Sequence, residues 1–410
     1  MTPIALIAGD DGGGALEAIA AMLHAALGRA GVIERVDAAP GLDLGAAAER
    51  IDGLERAGIR VLLVARAGDA PWTGFCRRQA DAVVTVAGGE LLLAHGAGPA
   101  RAVRAVSAAA LEDRVALLAR RLTGRSVGVV LSGGGARGLA HIGALEALLD
   151  AGVQIDRVGG CSAGALVGGL FAAGLSPGEI AERCRTELVE RNPLRDYTVP
   201  VVSLIRGRDV RDMLVRCFGE QRIEALPRDY FCVSVDLVAS RLVVHRGGLV
   251  HRAVGASMSL PGIGPPVVDG DALLVDGGVL DNLPVATMAA TGEGPVIAVD
   301  VSAPFEPPDA GARPGGRPRA NAVRERLRAA VVGDAGGEHA RQPSLRETLM
   351  RAVTLGASDE ASAAAEHAAL VIRPPVREVG LFAFARLDEL RMRGRRAAEQ
   401  ALASQPGWAG

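Results

Sequence analysis

Residues Val127 to Gly164 read VGVVLSGGGARGLAHIGALEALLDAGVQIDRVGGCSAG. The apolar run Val127–Leu131 has the length of a buried strand and stops at Ser132 and three consecutive glycines. Leu139, Ile142, Leu145 and Leu149 then recur at helical spacing. A second apolar stretch around Ile155 and Val158 leads into Gly160-Cys161-Ser162-Ala163-Gly164, ahead of a helical run from Ala165 to Ala173. Strand, glycine turn and helix, twice over, is the pattern of an α/β fold.

Both turns carry chemistry. In Ser132-Gly133-Gly134-Gly135-Ala136-Arg137-Gly138, consecutive glycines let backbone N–H groups converge at the start of a helix. That makes an anion site by geometry and by the helix dipole. Gly133, Gly135 and Gly138 match a dinucleotide fingerprint, and Asp156 lies about twenty residues on, where a ribose-binding acid belongs. The alternative is an oxyanion hole, which needs the same converging donors. The second turn decides between them. GCSAG has the form of a nucleophile elbow, whose small flanking residues permit a strained turn that exposes the Ser162 hydroxyl. Cys161 should point inward and pack.

A third signal is Leu273-Leu274-Val275-Asp276-Gly277-Gly278, followed by Asn282-Leu283-Pro284. A carboxylate ending a buried strand is either a turn cap or a base placed to reach another strand's end. No histidine competes clearly with it. His141 falls inside the helix after the glycines, and His245 and His251 flank a turn at Gly247-Gly248. Asp269, Asp271 and Asp281 are expected to face solvent.

The rest of the chain sets bounds. At 410 residues, two domains are expected; 49% hydrophobic and 22% charged residues suit a packed globular protein. Every one of the 45 basic residues is arginine. The absence of lysine excludes a Walker phosphate lysine, a Schiff base and a Ser–Lys dyad. A net charge of −2 and few aromatics (Trp 2, Tyr 2, Phe 7) give no footprint for nucleic acid. The 5 cysteines are scattered without CxxC spacing, which disfavours disulfides and zinc and points to a reducing compartment. The N-terminus lacks signal-peptide features. Val158 to Gly178 is uncharged and long enough to span a bilayer, but its glycines and Pro177 read as strand end, turn and core helix.

Residues 1–115 are expected to form a smaller Rossmann-like α/β domain. Ile4–Ala8, Arg60–Ala65 and Ala82–Ala87 read as parallel strands, and Leu16, Ile19, Leu23 and Leu27 share a helix face. GDDGGG at Gly9–Gly14 sits where a phosphate loop would, but lacking lysine and GxGxxG spacing it is read as a turn. A helix from Ala108 to Leu122 precedes the second unit, 116–405. Within that unit, a Pro/Gly/Arg-rich insertion at about 306–340 should be flexible. A helix over Leu345–Ala369, a strand over Leu370–Arg373 and a helix over Leu387–Ala403 complete the pattern.

Together GGGARG, GCSAG and DGG resemble the patatin-like phospholipase family, over about Ser126 to Ala303 and again from Ala369, where IRPPVREVGLFAFARLDEL looks like its C-terminal end. YTVPVVSLIRGRDV, DYFCVSVDL, VHRAVGASMSLPGIGPPVVDG and LLVDGGVLDNLPV are similar to its neuropathy target esterase, lysophospholipase-like branch. PWTGFCRRQADAVVTVAGG (Pro71 to Gly89) resembles the region preceding that branch's catalytic domain. The chain is expected to depart from the branch by lacking cyclic-nucleotide-binding domains and an N-terminal membrane span, so regulation by cyclic nucleotides is not expected. The resemblance implies a three-layer α/β/α catalytic domain with a Ser–Asp dyad: Ser162 as nucleophile and Asp276 as base. It implies an oxyanion loop of Gly133, Gly134, Gly135, Ala136, Arg137 and Gly138, in which the N–H groups of Gly134, Gly135 and Ala136 hold the oxyanion. Gly160, Cys161, Ala163 and Gly164 would shape the elbow, and Gly277 and Gly278 the aspartate turn. Arg137 would bind a lipid phosphate or brace its loop through carboxylate pairing.

The expected activity is hydrolysis of carboxylic esters of lysophospholipids or phospholipids, without metal or cofactor. The expected setting is cytoplasmic, with peripheral contact to micelles or the inner membrane face. A broad carboxylesterase is a second reading. A nucleotide-binding regulator is a third, and it leaves Ser162 and Asp276 unexplained.

Overall fold

The computed structural model describes residues 3–8, 13–38, 43–66, 69–87, 90–95, 101–104, 108–198, 203–302, 366–405 and 407–408. Residues 9–12 of the turn expected at 9–14, the insertion at 306–340 and residues 345–365 of the helix expected over 345–369 lie outside the described residues.

In the first part, chain order is β1 (Ile4–Ala8), α1 (Gly13–Gly28), β2 (Ile33–Asp37), α2 (Leu44–Arg56) and β3 (Arg60–Ala65). It continues with α3 (Ala70–Gln79), β4 (Ala82–Ala87), β5 (Glu90–His95), β6 (Arg101–Arg104) and α4 (Ala108–Leu122). The sheet order is β2-β3-β1-β4-β5-β6. β2, β3, β1 and β4 run parallel, while β5 and β6 add an antiparallel edge. Both faces are covered. Leu16, Leu23 and Leu27 of α1 pack on one face with Leu118 of α4; Ile51 of α2 and Trp72 and Phe75 of α3 pack on the other. The boundary expected at 115/116 falls inside α4, whose Val115, Leu118 and Ala119 belong to this first core.

The second part runs β7 (Val127–Leu131), α5 (Ala140–Asp150), β8 (Ile155–Cys161), α6 (Ala163–Ala172), α7 (Pro177–Cys184) and α8 (Arg208–Phe218). Then come β9 (Asp229–Asp236), β10 (Arg241–His245), α9 (Val250–Ser257), β11 (Val267–Asp269) and β12 (Ala272–Asp276). α10 (Val285–Ala289), β13 (Val296–Val299), β14 (Leu370–Ile372) and α11 (Leu387–Ser404) follow. The sheet order is β11-β12-β9-β8-β7-β13-β14, with β10 also paired to β9. The five strands from β9 to β14 are parallel; β10, β11 and β12 are antiparallel to their neighbours. The architecture is three-layered. α5, α6, α8, α9 and α11 bury Leu145, Leu170, Leu214, Val254 and Leu390 against one face, and α10 packs Val285 and Met288 on the other.

The uncharged stretch from Val158 resolves into β8, a sharp turn and the ten-residue α6. Among the described residues, no helix is long and apolar enough to cross a membrane. Strand β8 is buried at all seven positions, so its end delivers Ser162 to a fixed place.

Candidate active site

Ser162 sits between β8 and α6 with φ 53° and ψ −117°. Only Asn192 and Ser240 share a positive φ among described non-glycine residues. Backbone held there is strained and persists only where the surroundings enforce it. The enforcement is visible. A Cβ on Gly164 would lie 2.2 Å from the Leu131 carbonyl oxygen, so α6 starts hard against the end of β7. The Ser162 N–H donates to the Ser257 hydroxyl at 2.9 Å. The serine side chain is left facing a cavity of about 740 Å³.

Asp276, the last residue of β12, also faces that cavity and is 3% exposed. Its Oδ1 accepts from the Gly278 N–H at 2.8 Å and from the Cys161 thiol at 3.4 Å. Burial pushes its carboxyl above the ordinary range, and the Gly278 N–H, the Ser162 hydroxyl and the Cys161 thiol act against that rise. Among the described residues no cation contributes. The Asp276 N–H donates to the Ser259 carbonyl at 3.0 Å. The end of α9 therefore steadies both side chains: Ser257 holds the serine backbone and Ser259 holds the aspartate backbone. Neither was legible as a site residue, because the stretch around them shows no period that separates scaffold from site.

The glycine loop lies opposite. Gly133 donates its N–H to the Asn282 carbonyl at 3.1 Å, and Asn282 Nδ2 returns a bond to the Gly133 carbonyl at 3.3 Å. This reciprocal pair ties the glycine loop to the aspartate turn. Two expectations for the loop are corrected. The Ala136 N–H is not free for an oxyanion: it donates to the Leu381 carbonyl at 2.8 Å. Arg137 is not an oxyanion donor either. Its N–H donates to the Gly134 carbonyl, and its guanidinium donates to the carbonyls of Val379 at 2.7 Å and Arg377 at 3.3 Å. These bonds brace the loop through backbone carbonyls and not through the carboxylate pairing expected of Arg137. Gly134 and Gly135 remain, at the open start of a helical turn, with N–H groups that meet no partner among the described residues. Gly135 must be glycine: its φ is +57°, and a Cβ would meet the Leu381 carbonyl oxygen at 2.4 Å. Gly138 packs on Ala163, which locks the loop against the elbow.

The other candidates sort themselves by contact. Cys161 is fully buried, and burial holds its thiol well above its usual value, so it is a protonated donor rather than a nucleophile. His141 is fully buried in α5; its Nε2 lies 2.9 Å from the Ser132 carbonyl, and burial lowers its pKa to about 4. It is a neutral prop under the glycine loop. His245 and His251 do border the cavity, which the sequence did not indicate. Their hydrogen bonds go to Ser234 at 2.7 Å and the Gly219 carbonyl at 2.9 Å, not to Ser162 or Asp276. Asp269 and Asp271 are exposed as expected, whereas Asp281 is half-buried with its carboxyl raised to about 6. Asp156 is not a ribose ligand: Arg120 grips it with bonds of 2.9 and 2.7 Å at the far end of β8. That removes the acid the dinucleotide reading needed.

Residues 129–289 match the patatin-like phospholipase family model, so the chain carries a patatin-like phospholipase domain. An uncharacterized NTE family protein of Mycobacterium tuberculosis is 42% identical over 295 residues, 72% of this chain and 49% of that one. Lysophospholipase nte1 of Emericella nidulans is 42% identical over 189 residues, 45% of this chain and 12% of that one. The crystal structure of VipD from Legionella pneumophila aligns at a TM-score of 0.36 and 13% identity, over 79% of this chain and 70% of VipD. The chain spans about half the length of the mycobacterial relatives it matches.

Proposed function

We propose that the chain is a serine acyl hydrolase of lysophospholipids or phospholipids that works with a Ser–Asp dyad. The observation that carries this reading is Ser162, held at a strained positive φ beside a buried carboxylate that no cation among the described residues neutralises. A serine hydroxyl attacks an ester only when a base removes its proton. Aspartate is ordinarily too weak a base, and burial of Asp276 moves it in the useful direction.

In this mechanism Asp276 takes the Ser162 proton as Oγ attacks the ester carbonyl. The N–H groups of Gly134 and Gly135 receive the oxyanion. Loss of one such donor costs about 10²–10³ in rate. Protonated Asp276 then gives its proton to the leaving alkoxide, the lipid's glycerol oxygen. Water, deprotonated by the same carboxylate, cleaves the acyl-enzyme and releases the fatty acid. The family match and the NTE1 lysophospholipase relatives support lipid esters over small esters, as does an apolar cavity floor of Leu214, Ala253, Ala256 and Leu274. Contact with a micelle or membrane surface would be peripheral.

A fluorophosphonate probe tests the reading. Wild type should be labelled on Ser162 and should release fatty acid from a lysophospholipid. If Ser162→Ala, folded by circular dichroism, kept either property, the assignment would fail.

A further inference from the structure

The cavity above Ser162 has an unusual edge. Its lining includes Arg206, Arg208, Arg211, Arg222 and Arg252, all exposed, while the residues nearer its floor are apolar and buried. Exposure therefore grades the cavity, from an apolar interior to an arginine mouth. Two of these charges are offset locally: Arg211 lies 3.7 Å from Asp212 and Arg222 lies 3.0 Å from Glu224. The guanidinium groups of Arg206, Arg208 and Arg252 pair with no carboxylate or carbonyl among the described residues. They come from three places: the segment before α8, the first turn of α8, and α9. The carboxylates lining the cavity are Asp276, at the reaction centre, and Asp269, exposed on β11. Beside the first turn of α8, Asp196 is occupied by the N–H groups of Arg208 and Asp209.

We propose that this mouth selects ester lipids whose headgroup carries net negative charge, of the lysophosphatidate or lysophosphatidylglycerol kind, over choline lipids of the same chain length. The proposal deepens the acyl hydrolase reading and rests on it. An arginine fork binds phosphate oxygens through paired N–H donors, so unpaired guanidiniums at a mouth are suited to a phosphodiester. Every phospholipid has that phosphate; the difference lies beyond it. A quaternary ammonium is recognised by an aromatic cage or by carboxylates. Among the described residues the aromatic lining is Phe382 and Phe384, Asp269 is the lining carboxylate at the mouth, and Asp212 and Glu224 beside it are engaged by Arg211 and Arg222. A choline group would sit among like charges, whereas a glycerol or free phosphate headgroup would not.

The test uses the full chain and monomeric substrates, so that no lipid surface contributes. One-chain octanoyl lysolipids with phosphoglycerol or phosphocholine headgroups are compared below their aggregation concentrations. The expected ratio of kcat/KM, anionic over choline, is about tenfold or more at low salt, expressed mainly in KM and shrinking as salt screens the mouth. The combined variant Arg206→Gln, Arg208→Gln, Arg252→Gln should bring the ratio close to one, and the matching Arg→Lys variant should keep most of it. A wild-type ratio of one or below overturns the proposal, as does an unchanged ratio in a folded glutamine variant. So does a preference seen only on anionic vesicles, which would make the arginines a surface-attraction device. If the glutamine variant does not fold, the salt dependence of the wild-type ratio decides. Absence of any hydrolysis, with no probe labelling of Ser162, sinks the hydrolase reading itself; labelling with no headgroup preference sinks only the selectivity.

Discussion

The two ends of the second sheet both bury charge, and they treat it in opposite ways. At the end where β7 and β8 begin, Arg157 is fully buried and donates to the Ser126 hydroxyl and carbonyl, to Thr291 and to the Gly294 carbonyl. Arg121 makes a two-pronged bond to Glu293, at 3.0 and 2.8 Å, with both side chains nearly inaccessible. At the other end Asp276 is as deeply buried but meets no cation among the described residues, and Ser162 is bent into a conformation most residues avoid. Satisfied buried charge stabilises a connection between elements. A buried carboxylate held by hydrogen bonds alone, with no counter-ion among the described residues, costs stability, and beside a strained serine it marks a candidate site of chemistry.

The contrast breaks most sharply through the dyad. Asp276→Asn and Ser162→Ala should each lower kcat/KM for a lipid ester by about 10³-fold or more, because members of a catalytic unit fail together. His141→Gln, His245→Gln and His251→Gln should not approach that loss; a folded, inactive histidine variant would turn the dyad into a triad. Asp276→Asn should also melt at a higher temperature than wild type near neutral pH. The folded state raises the Asp276 pKa, so it prefers the proton; stability is full below the unfolded value and is lost as pH rises through the folded one. Asparagine keeps the shape and removes that loss. A lower melting temperature for a well-folded Asp276→Asn would mean that the carboxylate is a structural group after all.

The opposite end should show the reverse pattern. Glu293→Gln removes the counter-charge that Arg121 and Arg157 share and leaves Asp229, 3.7 Å from Arg121, as partial compensation, so the cost should approach but not exceed the about 3–5 kcal/mol of a broken buried pair. Thermal unfolding should move down by several degrees, while kcat per labelled active serine stays within a few-fold of wild type. Loss of turnover without loss of stability would contradict the division of labour between the ends. The same pairing bears on the first sheet: a chain beginning after Arg121 would lose the Arg121–Glu293 bond, so a truncation test should begin before α4 rather than inside it.

This asymmetry also explains what could be read in advance. Strands β7 and β8 and the elbow were legible, because an apolar run, glycines and an apolar period are local signals. β1, β3 and β4 were legible for the same reason, whereas β2 was not: IERVD puts charges on a strand that borders the sheet. The glycine loop was legible as an anion site but not in its donors. Ala136 and Arg137 are spent on Leu381 and Val379, some 240 residues away, and no local pattern reveals that. Ser257 and Ser259 were missed likewise, since each acts through a long-range bond to backbone, and Asn282, quoted with the aspartate turn, gave no local sign of its reciprocal pair with Gly133. The far-end cluster was invisible for the same reason: Arg121 and Glu293 are 172 positions apart.

Ser257 offers a smaller test of the strained end. Its hydroxyl accepts the Ser162 N–H, so Ser257→Ala leaves a partly buried donor without its partner at the strained residue. The expected result is about a tenfold fall in kcat with KM little changed, since misplacement of a reacting group acts on the chemical step. A rise in KM alone would make Ser257 part of the cavity wall and nothing more.

The smallest effect concerns Cys161 and is read in pH rather than in rate. Its thiol is protonated at working pH, because burial and the nearby Asp276 both raise its pKa. It therefore donates to Asp276 Oδ1, and a donor to a carboxylate favours the ionised form. In the proposed mechanism turnover needs that ionised form, so kcat/KM is expected to fall as pH drops through the folded Asp276 value. Cys161→Ala removes one of the bonds that hold the value down. The acid limb of the kcat/KM profile should then move to higher pH, with the plateau above it changed by no more than a few-fold. Cys161→Ser keeps a donor at the same position and should leave the limb close to wild type or lower. If alanine and serine moved the limb equally, packing would account for both, and the thiol would be one more buried side chain at the end of β8. If only alanine moved it, the residue before the nucleophile would be setting the basicity of the residue that activates it.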